Sequence, residues 1–302
     1  MDDSQFAKLK DLLEAGVSAI TSGDDWERYL RFQARFPRYS FGNVMLALAQ
    51  RPDATLLMPE GRRKDGRHVG WYALGRTLVP GAQRIMIWKP VTRKQTEEQK
   101  AAGQGAYTKF WPVPVYDVAD TEGDPLPDPA PVSLLTGDDA AGLLGVACDF
   151  IRSLGFTVEF AGDVLGGANG DMNPVSKLVR IVTEGRDPRQ QAKTALHEAA
   201  HAVLHAAGKG TGKNGGVSLP RSQKEVEAES VAFIVSMHLG VDTGEYSFGY
   251  VAGWAADTGM TPKTVIGHSG RRIQSAASKI IRYIAGDAQA AGDDEAELEA
   301  AA

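Results

Sequence analysis

Residues 191–208, QAKTALHEAAHAVLHAAG, place Leu196, Ala199, Ala200, Val203 and Leu204 at helical spacing, and an apolar stripe of that kind predicts a helix with at least one buried face. In such a helix His197 and His201 stand one turn apart. Side chains at i and i+4 project from the same face, so both imidazoles can meet a single ion while Glu198 lies beside them, close to a water on that ion. A zinc ion (Zn2+) held there would lower the pKa of its water, and Glu198 would take the proton as general base during attack on a carbonyl. The pattern predicts a zinc-dependent hydrolase, most specifically a metallopeptidase, with His197 and His201 as metal ligands. His205 extends the row by one turn. Three residues on one straight helix cannot surround a tetrahedral ion, so His205 is expected behind the ligands or at the surface.

A catalytic zinc takes three protein ligands and keeps one position open. The chain has one cysteine, Cys148, in the apolar stretch LLGVACDFI, which reads as a buried thiol and rules out a Cys-rich zinc site. The third ligand is therefore sought among carboxylates. Residues 222–239, SQKEVEAESVAFIVSMHL, predict a helix carrying Glu225, Glu227 and Glu229. Glu225 and Glu229 share a face, so one can bind the metal while the other accepts a hydrogen bond from a ligand imidazole and fixes its tautomer. Glu227 is expected to point away into solvent.

Outward from this centre the chain divides in two. Its 302 residues, 43 % apolar and 24 % charged, suit a folded protein long enough for two domains. The net charge of −5 hides an asymmetry: residues 1–116 hold 18 Lys and Arg against 12 Asp and Glu, leaving 15 against 26 for the rest. The same first part holds 14 of the 23 aromatic residues, and basic residues interleaved with aromatics suit single-stranded nucleic acid, although a solvated basic face over an aromatic core has the same composition. Helices are expected over 5–21, 25–36 and 40–49, then short strands between 54 and 118, interrupted by a polar loop at 93–105. The stretch TEGDPLPDPAP is acidic and Pro-rich, the natural linker. After it come a helix over 138–154, strands FTVEF and KLVRIV separated by a Gly/Asn turn, the motif helix over 189–207 and the acidic helix. The end, from residue 286, reads as a disordered acidic tail. No basic, apolar leader opens the chain and no run of 18 apolar residues occurs, so a cytoplasmic protein with no membrane partner is expected.

His197-Glu198-x-x-His201 followed by Glu225-V-E-A-Glu229-S-V-A-F resembles the gluzincin-type pattern of the ImmA/IrrE and ArdC C-terminal metallopeptidases. That resemblance implies Glu225 as the third ligand, and implies that the KLVRIV strand lines the cleft as the zincin edge strand. The first part resembles the ArdC single-stranded-DNA-binding domain through Tyr39-Ser40-Phe41-x-Asn43, Gln50-Arg51-Pro52-x-Ala54-Thr55, Trp71-x-x-Leu74-Gly75-Arg76-x-Leu78-x-Pro80-Gly81, Ile85-x-Ile87-x-x-Pro90 and PVPVYDVADTEG. The expected fold is α+β in two domains: a small nucleic-acid-binding domain at 1–119, a linker at 120–134, a zincin-like peptidase domain at 135–285 and a tail at 286–302. The resemblance implies an antirestriction-like, DNA-associated peptidase of a mobile element or phage, with single-stranded DNA and a protein or peptide substrate as partners. Candidate DNA contacts are Tyr39, Asn43, Arg62, Arg63, Trp71, Arg76, Lys89 and Arg93. Two rivals stand beside it: a binding protein that shields DNA and uses metal only for structure, and a regulatory peptidase that cuts a repressor.

Overall fold

The structure, a computed structural model, describes residues 3–61, 68–92, 108–126, 140–162, 168–206, 219–241, 248 and 260–286. It is α+β, as expected, and divides into two compact units. One draws its described residues from 1–17 and 42–127. The other takes 18–41 together with 128–288.

In the first unit, helices α1 (Asp3–Ser18) and α3 (Phe41–Gln50) accompany a sheet of strand order β1-β4-β3, in which β1 (Leu57–Met58) and β3 (Ile85–Thr92) both pair antiparallel with β4 (Thr108–Asp117). Ile85, Ile87 and Val115 are buried on one face. The outer edge of β3 is closed by two side chains of α3. Asn43 donates to the Trp88 carbonyl and accepts from the Trp88 amide, both at 2.8 Å. Gln50 does the same to Met86, both at 2.9 Å. Amide side chains thus satisfy backbone groups that would otherwise template pairing with another chain. A four-residue helix, α4 (Gly70–Ala73), leads to β2 (Arg76–Leu78), which pairs with β5 (Thr121–Gly123) after a 3-10 turn at Val118–Asp120. The linker expected at 120–134 is corrected here, because Thr121–Gly123 is strand, held by backbone pairing that its acidic composition does not announce. The rest of that linker, 127–134, lies outside the described residues, as do the whole 93–105 loop and the tail from 287.

The second unit holds a sheet of order β6-β8-β7, with β8 (Leu178–Val182) between β6 (Thr157–Ala161), parallel to it, and β7 (Gly170–Asn173), antiparallel. Helices α5 (Ala140–Ser153), α6 (Pro188–Leu204), α7 (Arg221–Leu239) and α8 (Pro262–Ile284) complete it. Asp187 caps α6 by accepting from the amides of Arg189 and Gln190, with Pro188 as the first helical residue. Helix α7 buries seven residues in a row, Ser230 to Ser236, so it has no solvent face over those two turns. Gly240, in the left-handed conformation at φ 68°, ends it.

Helix α2 (Gly23–Arg35) also belongs to the second unit, although the sequence placed it in the first. Ser22 and Asp25 form a reciprocal capping box at its start. Its fully buried Trp26 donates an indole N–H to Ser230 at 2.9 Å, Arg31 lies over the Phe233 ring, and the Ala34 carbonyl bonds His238. These partners all sit on α7. Among the described residues no helix is long and apolar enough to cross a membrane.

Candidate metal centre

Helix α6 carries its buried stripe, Ala192, Ala195, Leu196, Ala199 and Ala200, against the rest of the unit, and small residues there allow close helix approach. The turn between stripe and solvent faces α7 with His197 and His201. Their Nε2 atoms are 3.0 Å apart, and Glu225 Oε2 lies 3.3 Å from the first and 3.6 Å from the second. Ligand atoms of these three residues all fall within 4.8 Å of one another. Three electron-pair donors converging this closely repel unless a proton or a cation stands among them. Two imidazoles and one carboxylate are also a donor set that suits zinc, with a position left for water or substrate.

The electrostatics follow from the crowding. Burial pushes the His197 pKa down, but hydrogen bonds to Glu225 and Glu229 outweigh it and hold the imidazole up to about 9. His201, with weaker compensation for its burial, titrates below the ordinary range. Hydrogen bonds from both imidazoles hold the Glu225 carboxyl well below the usual carboxylate value. Glu198 is 5 % exposed, and burial raises its pKa to about 7, helped by the charges of Asp171 and Glu225 and opposed by His197. A carboxyl poised near neutrality is tuned for proton transfer.

Behind the two imidazoles stand two supports. Glu229 Oε2 accepts from His197 Nδ1 at 3.2 Å and its other oxygen takes Lys193 Nζ at 2.9 Å, the arrangement that frees Nε2 for a metal. Burial works against ionisation of Glu229, and these two bonds overcome it. Glu227 requires a correction. Instead of facing solvent it is completely buried, bonded to His205, Ser269 and Arg272. Glu227 lies on the inner side of α7, the side opposite exposed Glu225, and its countercharge comes from Arg272 of α8, a helix the sequence reading did not mark. His205 accordingly lies inside.

The edge strand also differs. Both sides of β8, which contains most of KLVRIV, are paired, so among the described residues the sheet edge beside α6 belongs to β7. Gly170 of β7 abuts Glu198 closely: a Cβ there would stand 3.0 Å from Glu198 Oε1 and 2.7 Å from Thr194 Cγ2. A side chain at this position would press on Thr194 and shift the Glu198 carboxylate. The local sequence GDMN carries turn formers, which hid the strand.

The candidate DNA contacts do not gather in one place. Arg62, Arg63 and Arg93 lie outside the described residues. Tyr39 falls in the second unit, its ring 5.7 Å from Phe36, with burial pushing its hydroxyl up to about 12. Trp71 is fully buried and donates its indole N–H to the Tyr116 carbonyl at 3.0 Å, so it presents no face for stacking. Asn43 is committed to β3, and Arg76 donates to Thr121 and to the Asp124 carbonyl, so both serve the fold instead. Lys89 alone among them is an exposed cation on a strand. Pairing sets it opposite Trp111, which is half-buried, and exposed Lys109 follows two residues away on the same face of β4. This Lys-Trp-Lys patch was missed because register decides it, and register is not written in FWPVPVYDV alone.

The fold and site define a class: α+β proteins whose second unit sets a His-Glu-x-x-His helix against a helix bearing a carboxylate that could complete a metal site. Within it, the chain has the fold of the ArdC antirestriction protein of plasmid R388. The Mn(II)-bound structure of that protein matches 94 % of this chain and 99 % of its own, with a TM-score of 0.55 at 16 % identity. Its metal-free structure matches 83 % and 86 %, with a TM-score of 0.51 at 17 % identity. An uncharacterized protein of Bacillus anthracis is 25 % identical over 313 aligned positions that cover 92 % of this chain. The chain spans 51 % of the length of that relative, about half. No protein-family model matches the chain.

Proposed function

We propose that this chain is a divalent-metal-dependent peptidase, with zinc as its working ion, acting beside single-stranded DNA in a cytoplasmic antirestriction setting. The reading rests on one observation, the convergence of His197, His201 and Glu225 with Glu198 poised beside them. A neighbour in fold that binds Mn(II) and is an antirestriction protein supports a divalent ion and that setting.

His197, His201 and Glu225 would hold the ion, and Glu229 and His205 keep the imidazole nitrogens turned toward it. Bound zinc supplies Lewis acidity, making water acidic and a carbonyl electrophilic. Glu198 takes the proton of the attacking water and returns it to the departing amine. The outer edge of β7 offers backbone N–H and C=O groups to an extended peptide, which would lay its scissile bond across Gly170 toward Glu198. Lys89, Trp111 and Lys109 offer phosphate neutralisation on either side of a ring that can stack on an unpaired base.

The test combines casein hydrolysis, with and without a single-stranded oligonucleotide, and calorimetric zinc titration of the metal-free protein. Cleavage that requires metal is expected, and a metal-loaded protein inert toward every peptide tried would end the peptidase reading. Because His197 titrates near 9, an entering ion must expel its proton at neutral pH. We expect at least one proton released per ion at pH 7, and apparent affinity that climbs with pH to about 9, counted by titration in two buffers of different ionisation enthalpy. The sign for stability is the reverse. Proton binding by His197 stabilises the metal-free fold fully below its unfolded value of 6.5, and that contribution is lost as pH rises through about 9.

A further inference from the structure

Behind His201 runs a line of buried polar groups that peptide hydrolysis does not itself use. His201 Nδ1 lies 2.9 Å from His205 Nδ1, and His205 Nε2 lies 2.9 Å from Glu227 Oε2. Arg272 Nε reaches both oxygens of Glu227, at 3.2 and 3.1 Å, and its Nη2 donates to the Leu204 carbonyl at 3.1 Å. Ser269 Oγ donates to Glu227 Oε1 at 2.8 Å and accepts from Gln223 Nε2 at 3.0 Å. His205 and Glu227 side chains are 4 % and 0 % exposed.

The polarity of this line can be worked out from its far end. Glu227, ionised beside Arg272, only accepts, so His205 must donate from Nε2. An imidazole carrying one proton then has a bare Nδ1, which accepts from His201. His201 therefore carries its proton on Nδ1 and leaves Nε2 as a lone pair. Nε2 is the atom that faces His197 and Glu225.

We infer that His205 is a positioning residue: through Glu227 and Arg272 it locks His201 in the one tautomer that can ligate a cation, tying the metal centre to helix α8. The inference rests on the metal reading above. Ordinarily a carboxylate or a backbone carbonyl directly holds a ligand histidine, as Glu229 does for His197. Here a second imidazole is interposed, so the orientation is set by an ion pair formed 45 residues apart in the chain, between Glu227 and Arg272.

The test uses the full 302-residue chain in three forms: wild type, His205→Phe and His205→Gln. Phenylalanine keeps a ring but removes both bonds. Glutamine can accept from His201 with its oxygen and donate to Glu227 with its nitrogen, restoring the polarity. Long-range 1H–15N correlation spectra of the metal-free wild type should show His201 protonated on Nδ1. Zinc affinity, measured by competition with a fluorescent chelator, should fall about 10- to 100-fold in His205→Phe, the range typical for lost support of a metal ligand, and recover to within about threefold in His205→Gln. An Nε2-protonated His201 in the wild type, or a folded His205→Phe with wild-type affinity, would overturn the inference. If His205→Phe does not fold, the wild-type tautomer and the affinity of His205→Gln decide it. A wild type that binds no zinc but shows the Nδ1 tautomer would refute the metal reading while leaving the lock in place.

Discussion

Glu198→Gln is expected to lower peptide hydrolysis by about 10²- to 10⁴-fold, the usual contribution of a general base, while zinc content stays at the wild-type level. The amide matches the carboxylate in size and fits the narrow place beside Gly170, so the helix and the ligand set should be undisturbed. What disappears is the proton acceptor. In the wild type the ionised form is the active one, and Glu198 in the metal-free protein titrates at about 7. A bound cation favours the carboxylate, so the acidic limb of the activity profile is expected below pH 7 and should vanish in the variant. Retained hydrolysis in a zinc-loaded Glu198→Gln protein would remove Glu198 as the general base, whereas an antirestriction effect that survives the loss of hydrolysis would favour a DNA-shielding role.

The second large effect concerns stability. A fragment cut at the limits the sequence suggests, residues 135–285, is expected not to fold cooperatively. It lacks residues 18–41, whose Trp26, Tyr29, Leu30, Phe32 and Phe41 are buried within the second unit. Phe41 sits so close to Gly270 that any side chain there would overlap its ring. Adding back residues 18–41 through a flexible linker should restore a single transition in urea. Within the full chain, Trp26→Ala should cost about 3–5 kcal/mol, as for other buried aromatic truncations, with the hydroxyl of Ser230 losing its donor as well. A soluble 135–285 fragment with native-like far-UV dichroism and a sharp unfolding transition would show that α2 is dispensable.

The motif helix was the most legible part of the molecule, because an apolar stripe with two histidines one turn apart has few other physical explanations. Glu225 and Glu229 were readable as a pair on one face, and they meet different atoms: Glu225 lies against the Nε2 atoms of His197 and His201, and Glu229 against His197 Nδ1. Glu227 was not readable. Its direction depends on which side of α7 packs against the rest of the unit, and on Arg272 arriving from a helix far along the chain. Strand β7 was hidden for a different reason: Gly170, Asp171 and Asn173 favour turns locally, and the pairing that overrides them is supplied by β8. The aromatic wealth of the first 116 residues pointed to stacking surfaces. Seven of those 14 rings instead fill interiors, Trp26 and Trp71 completely, since burial of large rings is what builds a small core.

The assignment of residues 18–41 to the second unit has a consequence for biosynthesis. Trp26 leaves the ribosome 204 residues ahead of Ser230, its hydrogen-bond partner. At roughly 5–20 residues per second, the helix waits about ten to forty seconds with its apolar side uncovered. The nascent chain therefore carries an adhesive segment through the synthesis of those 204 residues, a natural docking point for a holding chaperone, and completion of the second unit is deferred until α7 has emerged.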